Sequence, residues 1–253
     1  MQNNQIVANT LLLQHQHNAG KTQIELVKQL TKLGIWNIEV RREYFSEDLR
    51  EMQALNCTKL GKRLTLFYSV PDVIFKSGQI NPKLLQYFAE ASLFGASYVK
   101  LNVGEFDGYR GNLGQELGTI VPKNIQLNVE NDQTKLSGSA KKIVLFLDAA
   151  KKADLNIGFV NDLGNWIFTK QDTISSSKIL LPYTRYIHLK NYTIENQQTK
   201  TVPINDGKLD WKKLLDNFDG TLPIALEYPV DSIENLKKDI KSLEEYLEKR
   251  RLR

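Results

Sequence analysis

Residues 156–191 read NIGFVNDLGNWIFTKQDTISSSKILLPYTRYIHLKN. Two β-rich runs, NIGFVND (156–162) and RYIHLKN (185–191), flank a crossover long enough to hold a helix. Strands joined by such a crossover pair in parallel, with a right-handed connection. The same unit recurs on either side. IVANTLL (6–12), IWNIEVR (35–41), RLTLFYSV (63–70), SYVKLNV (97–103) and IQLNVE (125–130) precede it, and PIALEY (223–228) follows. Between them lie helix-like segments. TQIELVKQLTKLG places apolar residues at i, i+3 and i+4 and closes on Gly34. KLLQYFAEASLFGA and SAKKIVLFLDAAKKADL read the same way. The last, DSIENLKKDIKSLEEYLEKR, starts on an Asp-Ser cap and sets Ile233, Leu236, Ile240, Leu243 and Leu247 on one stripe.

Eight strands at intervals of about 25–35 residues, each followed by a helix-length segment, predict an α/β fold closed as a (β/α)8 barrel. An open doubly wound sheet usually needs fewer strands and a Gly-rich first turn. The first turn here, HQHNAGKT, ends like a phosphate-binding loop, yet His15 stands where that motif requires glycine. No Pro- or Ser-rich linker interrupts the chain, so residues 1–253 are read as one domain.

Composition narrows the function classes. With 41% hydrophobic and 25% charged residues, the chain has apolar material for a sizeable core and a soluble surface. The net charge of +5 allows an anionic partner, but the chain ends EKRRLR, where a helix dipole alone favours cations. Nucleic acid is therefore not the expected partner. Cys57 is alone, which excludes a disulfide framework and a cysteine-rich metal site. The start, MQNNQIVANTLLLQHQH, lacks the basic flank and long apolar run of a signal peptide. No stretch reaches the roughly 20 apolar residues of a membrane span. A cytoplasmic protein is the expectation.

In a barrel of this kind the reacting groups sit at the C-terminal ends of the strands. The fifth predicted strand ends at Glu130 (LNVEN), the sixth at Asp162 (FVNDLGNW), the seventh carries His188 (YIHLKNY) and the eighth ends at Glu227 (IALEYP). Singly, each has a structural reading as a strand-end or hydrogen-bonded residue. Three carboxylates converging at one mouth would cost several kcal/mol unless a cation neutralised them. Oxygen ligands with one imidazole suit a single divalent ion: Mn²⁺, Mg²⁺, Co²⁺ or Zn²⁺.

The segments LNVEN, FVNDLGNW, YIHLKNY, VPINDGKLDW and IALEYP follow one another as in the xylose-isomerase-like barrels, and the chain most resembles their sugar phosphate isomerase/epimerase group. The resemblance spans the whole chain, with its specific signal in residues 125–230. It implies one divalent metal held by Glu130, Asp162, His188 and Glu227. It also implies that Glu130 and Glu227 act as acid and base, removing and returning the proton beside a substrate carbonyl through a metal-stabilised cis-enediolate. Asn165 and Lys190 match positions that contact substrate; Lys190 could equally pair with a neighbouring carboxylate. The implied partner is a small sugar, sugar phosphate or polyol. The same ligand set supports dehydratases of inosose or dehydroshikimate type, which begin with the same proton abstraction.

Several residues depart from the family pattern. Asn191 replaces the usual Asp after Lys190, Asp132 stands where many members have His, Asn205 replaces the first Gly of the loop VPINDGKLDW, and Ile194 stands where the free-ketose epimerases carry Arg. None removes a metal ligand. Glu39, ending the second predicted strand, is a candidate for the mouth and for substrate binding, with ion pairing to Arg41 or Arg42 as the alternative. His15, read as the end of strand one beside His17, is a candidate substrate contact. Lys100 could face the barrel interior or the helix layer, GEFDGYRGNLG (104–114) is a candidate lid, and the tryptophans are packing residues.

A DNA-repair enzyme of this superfamily needs many histidines for three zinc ions; this chain has 3 histidines and an Asn165 where one is required. A non-catalytic binding barrel would be expected to lose a metal ligand, and none is lost. Related barrels are often dimers, so a homodimer is compatible with the resemblance, though no apolar stripe marks an interface.

Overall fold

The computed structural model describes residues 5–46, 49–57 and 63–252. The first four residues of the N-terminal segment, and Arg253 of the basic end, lie outside them, as does the side chain of Cys57. Eight parallel strands close on themselves: β1 (Ile6–Asn9), β2 (Asn37–Arg41), β3 (Thr65–Lys76), β5 (Tyr98–Gly104), β6 (Gln126–Glu130), β7 (Ile157–Asp162), β8 (Thr184–Leu189) and β11 (Ile224–Leu226). Each pairs with the next, β11 returns to β1, and β1 continues through β2 to β3 to complete the ring. This is the (β/α)8 barrel that the strand spacing predicts.

Alternation along each strand decides which residues enter the lumen. On β8, Ile187 and Leu189 pack outward into the main core beneath the helices, whereas Tyr186 points inward. On β7, Phe159 faces out and Val160 in; on β1, Ile6 and Ala8 face out and Val7 in. Val7, Phe67, Val160, Tyr186 and Ala225 form a separate buried cluster that plugs the barrel. Its aromatic rings stack, with Phe67 4.2 Å from Tyr98 and 4.9 Å from Tyr186, centroid to centroid. The next inward layer, toward the C-terminal end, carries the polar groups.

The helices follow from local signals. Thr22 and Glu25 form a reciprocal capping box on α2 (Gln23–Thr31). The helix α4 (Leu84–Phe94) ends on Gly95 at φ 75°, a left-handed turn that favours glycine. The α6 helix covers Ala140–Lys152. Ser232 caps the long α9 (Ile233–Arg251), whose Leu236, Ile240, Leu243 and Leu247 are buried as the stripe predicts. Among the described residues no helix is long and apolar enough to cross a membrane.

Three elements differ from the sequence reading. Strand one stops at Asn9, because the Asn9 side chain accepts the Leu11 N–H and starts a 3-10 turn (Thr10–Leu13) that runs into α1 (Gln14–Asn18). Strand three continues past Val70 to Lys76, beyond a register shift between Ser69 and Val73, and pairs with the short β4 (Gln79–Ile80). After β8 the chain forms an added antiparallel hairpin, β9 (Asn191–Glu195) and β10 (Gln198–Val202).

The barrel plug supplies a stability test. Replacing Phe67 by Ala should cost about 3–5 kcal/mol, read from a lowered urea midpoint with an unchanged m-value.

Candidate functional site

At the C-terminal mouth the strands deliver Glu130, Asp162, His188 and Glu227 to one place. One ligand atom from each lies within 4.8 Å of the others, and all four residues are buried. Glu130 and Asp162 are the last residues of β6 and β7, His188 is the penultimate residue of β8, and Glu227 directly follows β11. The register aligns them: Asp162 lies opposite His188 across β7 and β8, and Ala225, two residues before Glu227, lies opposite His188 across β11 and β8. Glu130 and Glu227 line a cavity of about 310 Å³, and Asp162 and His188 lie beneath its lining.

The imidazole is held from both sides. His188 Nε2 is 2.9 Å from Glu39 Oε2, and Nδ1 is 2.8 Å from Glu130 Oε1 and 3.0 Å from Glu227 Oε2. Glu39 is fixed in turn by the Tyr186 hydroxyl (2.6 Å) and by Asn9 Nδ2 (2.8 Å), which also donates to Glu227 Oε1 (3.1 Å). Nε2–H donates to Glu39 and Nδ1–H faces Glu130 and Glu227, so the ring as held here carries a proton on each nitrogen. A carboxylate placed as Glu39 is fixes the plane of the imidazole.

Two lysines enter the same layer. Lys100 Nζ lies 2.6 Å from Glu130 Oε2, 3.5 Å from Glu227 Oε1 and 3.8 Å from Glu39 Oε1. Lys190 Nζ lies 2.6 Å from Asp162 Oδ2 and 3.3 Å from Glu227 Oε2. Arg41 bridges Glu227 (3.2 Å) and the surface residue Glu43 (2.5 Å). These charges set the proton affinities. Burial opposes ionisation of Glu130 and Glu227, but Lys100 foremost, with His188 beside both, holds Glu130 below and Glu227 well below the usual carboxylate range. Burial pushes the Asp162 carboxyl up to about 7 against the pull of Lys190. Burial also opposes protonation of His188, yet Glu39, Glu227 and Glu130 carry it well above the usual imidazole value.

The donor set fits a divalent cation. Glu130 Oε1 and Asp162 Oδ2 are buried, and the positive charge against each comes from His188 Nδ1 (2.8 Å) and Lys190 Nζ (2.6 Å). Three carboxylates and one imidazole converging in this way are a donor set that suits a divalent ion. Neither neutral tautomer of His188 can donate to all three carboxylate oxygens around it. These four residues could hold a metal ion.

The remaining candidates divide. Asn165 and Lys190 line the cavity. Asn165 is fixed by its Nδ2 donating to the Asn131 carbonyl (2.8 Å) and its Oδ1 accepting from Gln133 (3.0 Å). Glu39 has no exposed surface and sits beneath His188, not on the cavity wall; its partners are His188, Tyr186, Asn9 and, more distantly, Lys100, while Arg42 instead pairs with Glu90. His15 is exposed on α1 and absent from the cavity lining, because the chain has already turned at Asn9. The segment 104–114 is anchored, not lid-like: Phe106 and Tyr109 pack on Phe75, each at 5.0 Å, and Phe106 packs on Phe146. Trp166 is fully buried and donates to Asn161. Sequence reasoning missed Asn9, Tyr186 and Arg41 as supports of the site. Tyr186 was detectable as the residue two before His188 on the same strand face.

The departures in the loop after β8 are structural. Asn191 Oδ1 accepts from the Tyr192 and Leu209 N–H groups, and its Nδ2 donates to the Ile204 and Leu209 carbonyls. Gly207 crosses so closely that a Cβ there would fall 2.3 Å from Asn191 Oδ1. Asn205 ties the loop to α9 through Asp239 (2.8 Å). Asp132, half-buried on the cavity wall, accepts from Asn102 and Thr134.

No protein-family model matches the chain, and no curated protein sequence matches it. Solved structures do. The barrel is similar to that of the probable 3-DHS dehydratase AsbF, involved in petrobactin synthesis, from Bacillus anthracis. That likeness has a TM-score of 0.71 at 17% identity and covers 94% of this chain and 98% of that one. The fold is likewise similar to that of a xylose isomerase domain containing protein from Salmonella typhimurium LT2, at a TM-score of 0.66 and 14% identity over 96% of this chain and 97% of that one. D-psicose 3-epimerase from Clostridium cellulolyticum H10 is similar at a TM-score of 0.63 and 10% identity, over 96% of this chain and 98% of its own. The IOLI protein, solved with a bound zinc atom, is similar at 0.63 and 13% identity, over 97% and 98%. At these identities the likeness is one of fold.

The amide of Asn191 makes a direct prediction. Asn191→Asp sets a carboxylate oxygen against two buried carbonyls and should destabilise the protein by about 2–4 kcal/mol, measured by urea unfolding above pH 6.

Proposed function

We propose that the protein is a divalent-metal-dependent isomerase or epimerase of a sugar or sugar phosphate. The observation that carries this reading is the convergence of Glu130, Asp162, His188 and Glu227 at the barrel mouth, all four buried with one ligand atom each within 4.8 Å of the others. Likeness to a zinc-containing barrel and to an epimerase supports it. When bound, the ion supplies Lewis-acid polarisation of the substrate's carbonyl and neighbouring hydroxyl.

The chain's own residues do the rest. Glu130 and Glu227 come from β6 and from the end of β11, well apart around the ring, so they approach a bound substrate from different sides. Both are kept ionised by the adjacent cations, as a general base must be. One, ionised, removes the proton beside the carbonyl. The other takes up a proton from solvent as substrate enters and delivers it to the resulting enediolate, and exchange with water afterwards resets both. Glu39 holds the ring plane of His188, and Asn9 positions the Glu227 carboxylate. Asn165 and Lys190, on the cavity wall, supply donors to substrate oxygens. The cavity of about 310 Å³ has room for a molecule of monosaccharide size.

A dehydratase is the second reading, favoured by the likeness to the AsbF barrel. It shares the first proton abstraction and differs in expelling a hydroxyl afterwards.

Two measurements test the proposal. Protein stripped with chelator and reconstituted with Mn²⁺, Co²⁺ or Zn²⁺ should hold about one ion per chain, as the four convergent ligands require; metal analysis finding none would refute the centre. Ketoses, ketose phosphates and inososes incubated with loaded protein in D2O should reveal the enolising substrate by deuterium uptake, and dehydration by the loss of water from the product. Glu130→Gln and Glu227→Gln should each slow that exchange at least about 100-fold with the circular dichroism spectrum unchanged, and full exchange in both variants would remove their acid–base roles.

A further inference from the structure

We propose that Lys100 and Lys190 are counter-ions built into the cage: a divalent ion must displace Lys190 to reach Asp162 Oδ2, and it must overcome the charge of Lys100 to reach Glu130. This inference rests on the metal-dependent reading of the site and concerns what those two side chains do to it.

The contacts are specific. Each lysine makes its shortest ion pair, 2.6 Å, with one prospective ligand: Lys100 with Glu130, and Lys190 with Asp162. Each then reaches the third carboxylate, Glu227, from a different side, Lys100 at Oε1 and Lys190 at Oε2. All three acidic ligands are therefore held by ammonium groups, and both lysine side chains are only 9% exposed. An ammonium so far removed from water repels a divalent ion strongly at contact range, because little solvent screens the pair. The ion and Lys190 cannot share Asp162 Oδ2, whereas Lys100 sits on Glu130 Oε2 rather than Oε1 and opposes the ion by its charge.

The site also provides the room that displacement requires. Both lysines border the cavity of about 310 Å³ above the cage. Their four-carbon stems let each ammonium swing upward without moving the strand that carries it. Lys100 lies on β5 opposite Asn128 of β6, and Lys190 follows β8, so the two ammonium groups would leave toward the cavity from different walls. There they become donors facing the substrate's oxygens. Two consequences follow: folding of the cage does not depend on the ion, and ion affinity is lower than four such ligands would otherwise produce.

The test is isothermal titration of Mn²⁺ alone into chelator-stripped, full-length wild type, Lys100→Met, Lys190→Met, and the charge-retaining Lys100→Arg and Lys190→Arg. Methionine keeps an unbranched stem and removes the charge. Each Met variant should bind Mn²⁺ at least tenfold more tightly than wild type, and each Arg variant no more tightly than wild type. Because removing an ammonium leaves a buried carboxylate unpaired, the Met variants should melt at lower temperature without metal and show a larger Mn²⁺-induced rise in Tm. That rise provides the readout if a stripped variant is too unstable to titrate. Wild-type binding with equal or weaker binding, and no larger Tm rise, in both Met variants overturns the displacement while leaving the metal centre intact. No binding in any of the proteins overturns the metal centre and this proposal with it.

Discussion

Four carboxylates lie out of water in one layer of a closed barrel, and the rest of the mouth is arranged around that fact. Glu39, Glu130, Asp162 and Glu227 are each 5% exposed or less. Unpaired, each would cost several kcal/mol to ionise there. Arg41 from β2, Lys100 from β5, and His188 and Lys190 from β8 and its end bring positive charge to the mouth. The barrel geometry makes this feasible, since every second residue of every strand points inward and neighbouring strands hold their residues in fixed register. A layer of this composition cannot be built from one strand or one loop. It depends on closure of the ring.

The polar layer rests on the apolar one. Tyr186 belongs to both: its ring packs with Phe67 in the plug and meets the His188 ring edge-on at 4.8 Å, while its hydroxyl donates to Glu39. The position of Glu39, and through it the orientation of the imidazole, is therefore fixed by core packing as well as by hydrogen bonds. Preorganisation of this kind keeps ligand atoms in place without a large entropic cost when a cation or substrate arrives. It also joins stability to chemistry, because a change in the plug shifts the support of His188.

What could be read from the sequence, and what could not, follows from the same geometry. Glu130, Asp162 and His188 were legible because β6, β7 and β8 end where their apolar alternation ends, and a strand end in this fold is the mouth. Glu227 was legible although its strand has only three residues, because the run PIALEY still alternates. Glu39 was legible as a residue of the mouth but not as one covered by His188 and kept off the cavity lining. A period of two tells which face a residue occupies but not its height against residues on other strands, and that height comes from the barrel's stagger. His15 was misplaced by a local event, the Asn9 side chain capping a turn where the pattern still reads as strand. The glycines of segment 104–114 suggested mobility, but Phe106 and Tyr109 anchor it to Phe75, a long-range contact that no local window contains.

Asn191 shows how a departure from a family pattern can be informative without touching the chemistry. All four hydrogen-bonding positions of its amide are used: two acceptor contacts and two donor contacts, every partner a backbone group of its own neighbour or of the loop 204–209. An aspartate could supply the acceptors but neither donor. The loop in this chain is thus held by an uncharged clamp immediately beside Lys190. The amide points into that loop while the Lys190 ammonium points into the cage, so the substitution belongs to the way this chain holds its rim.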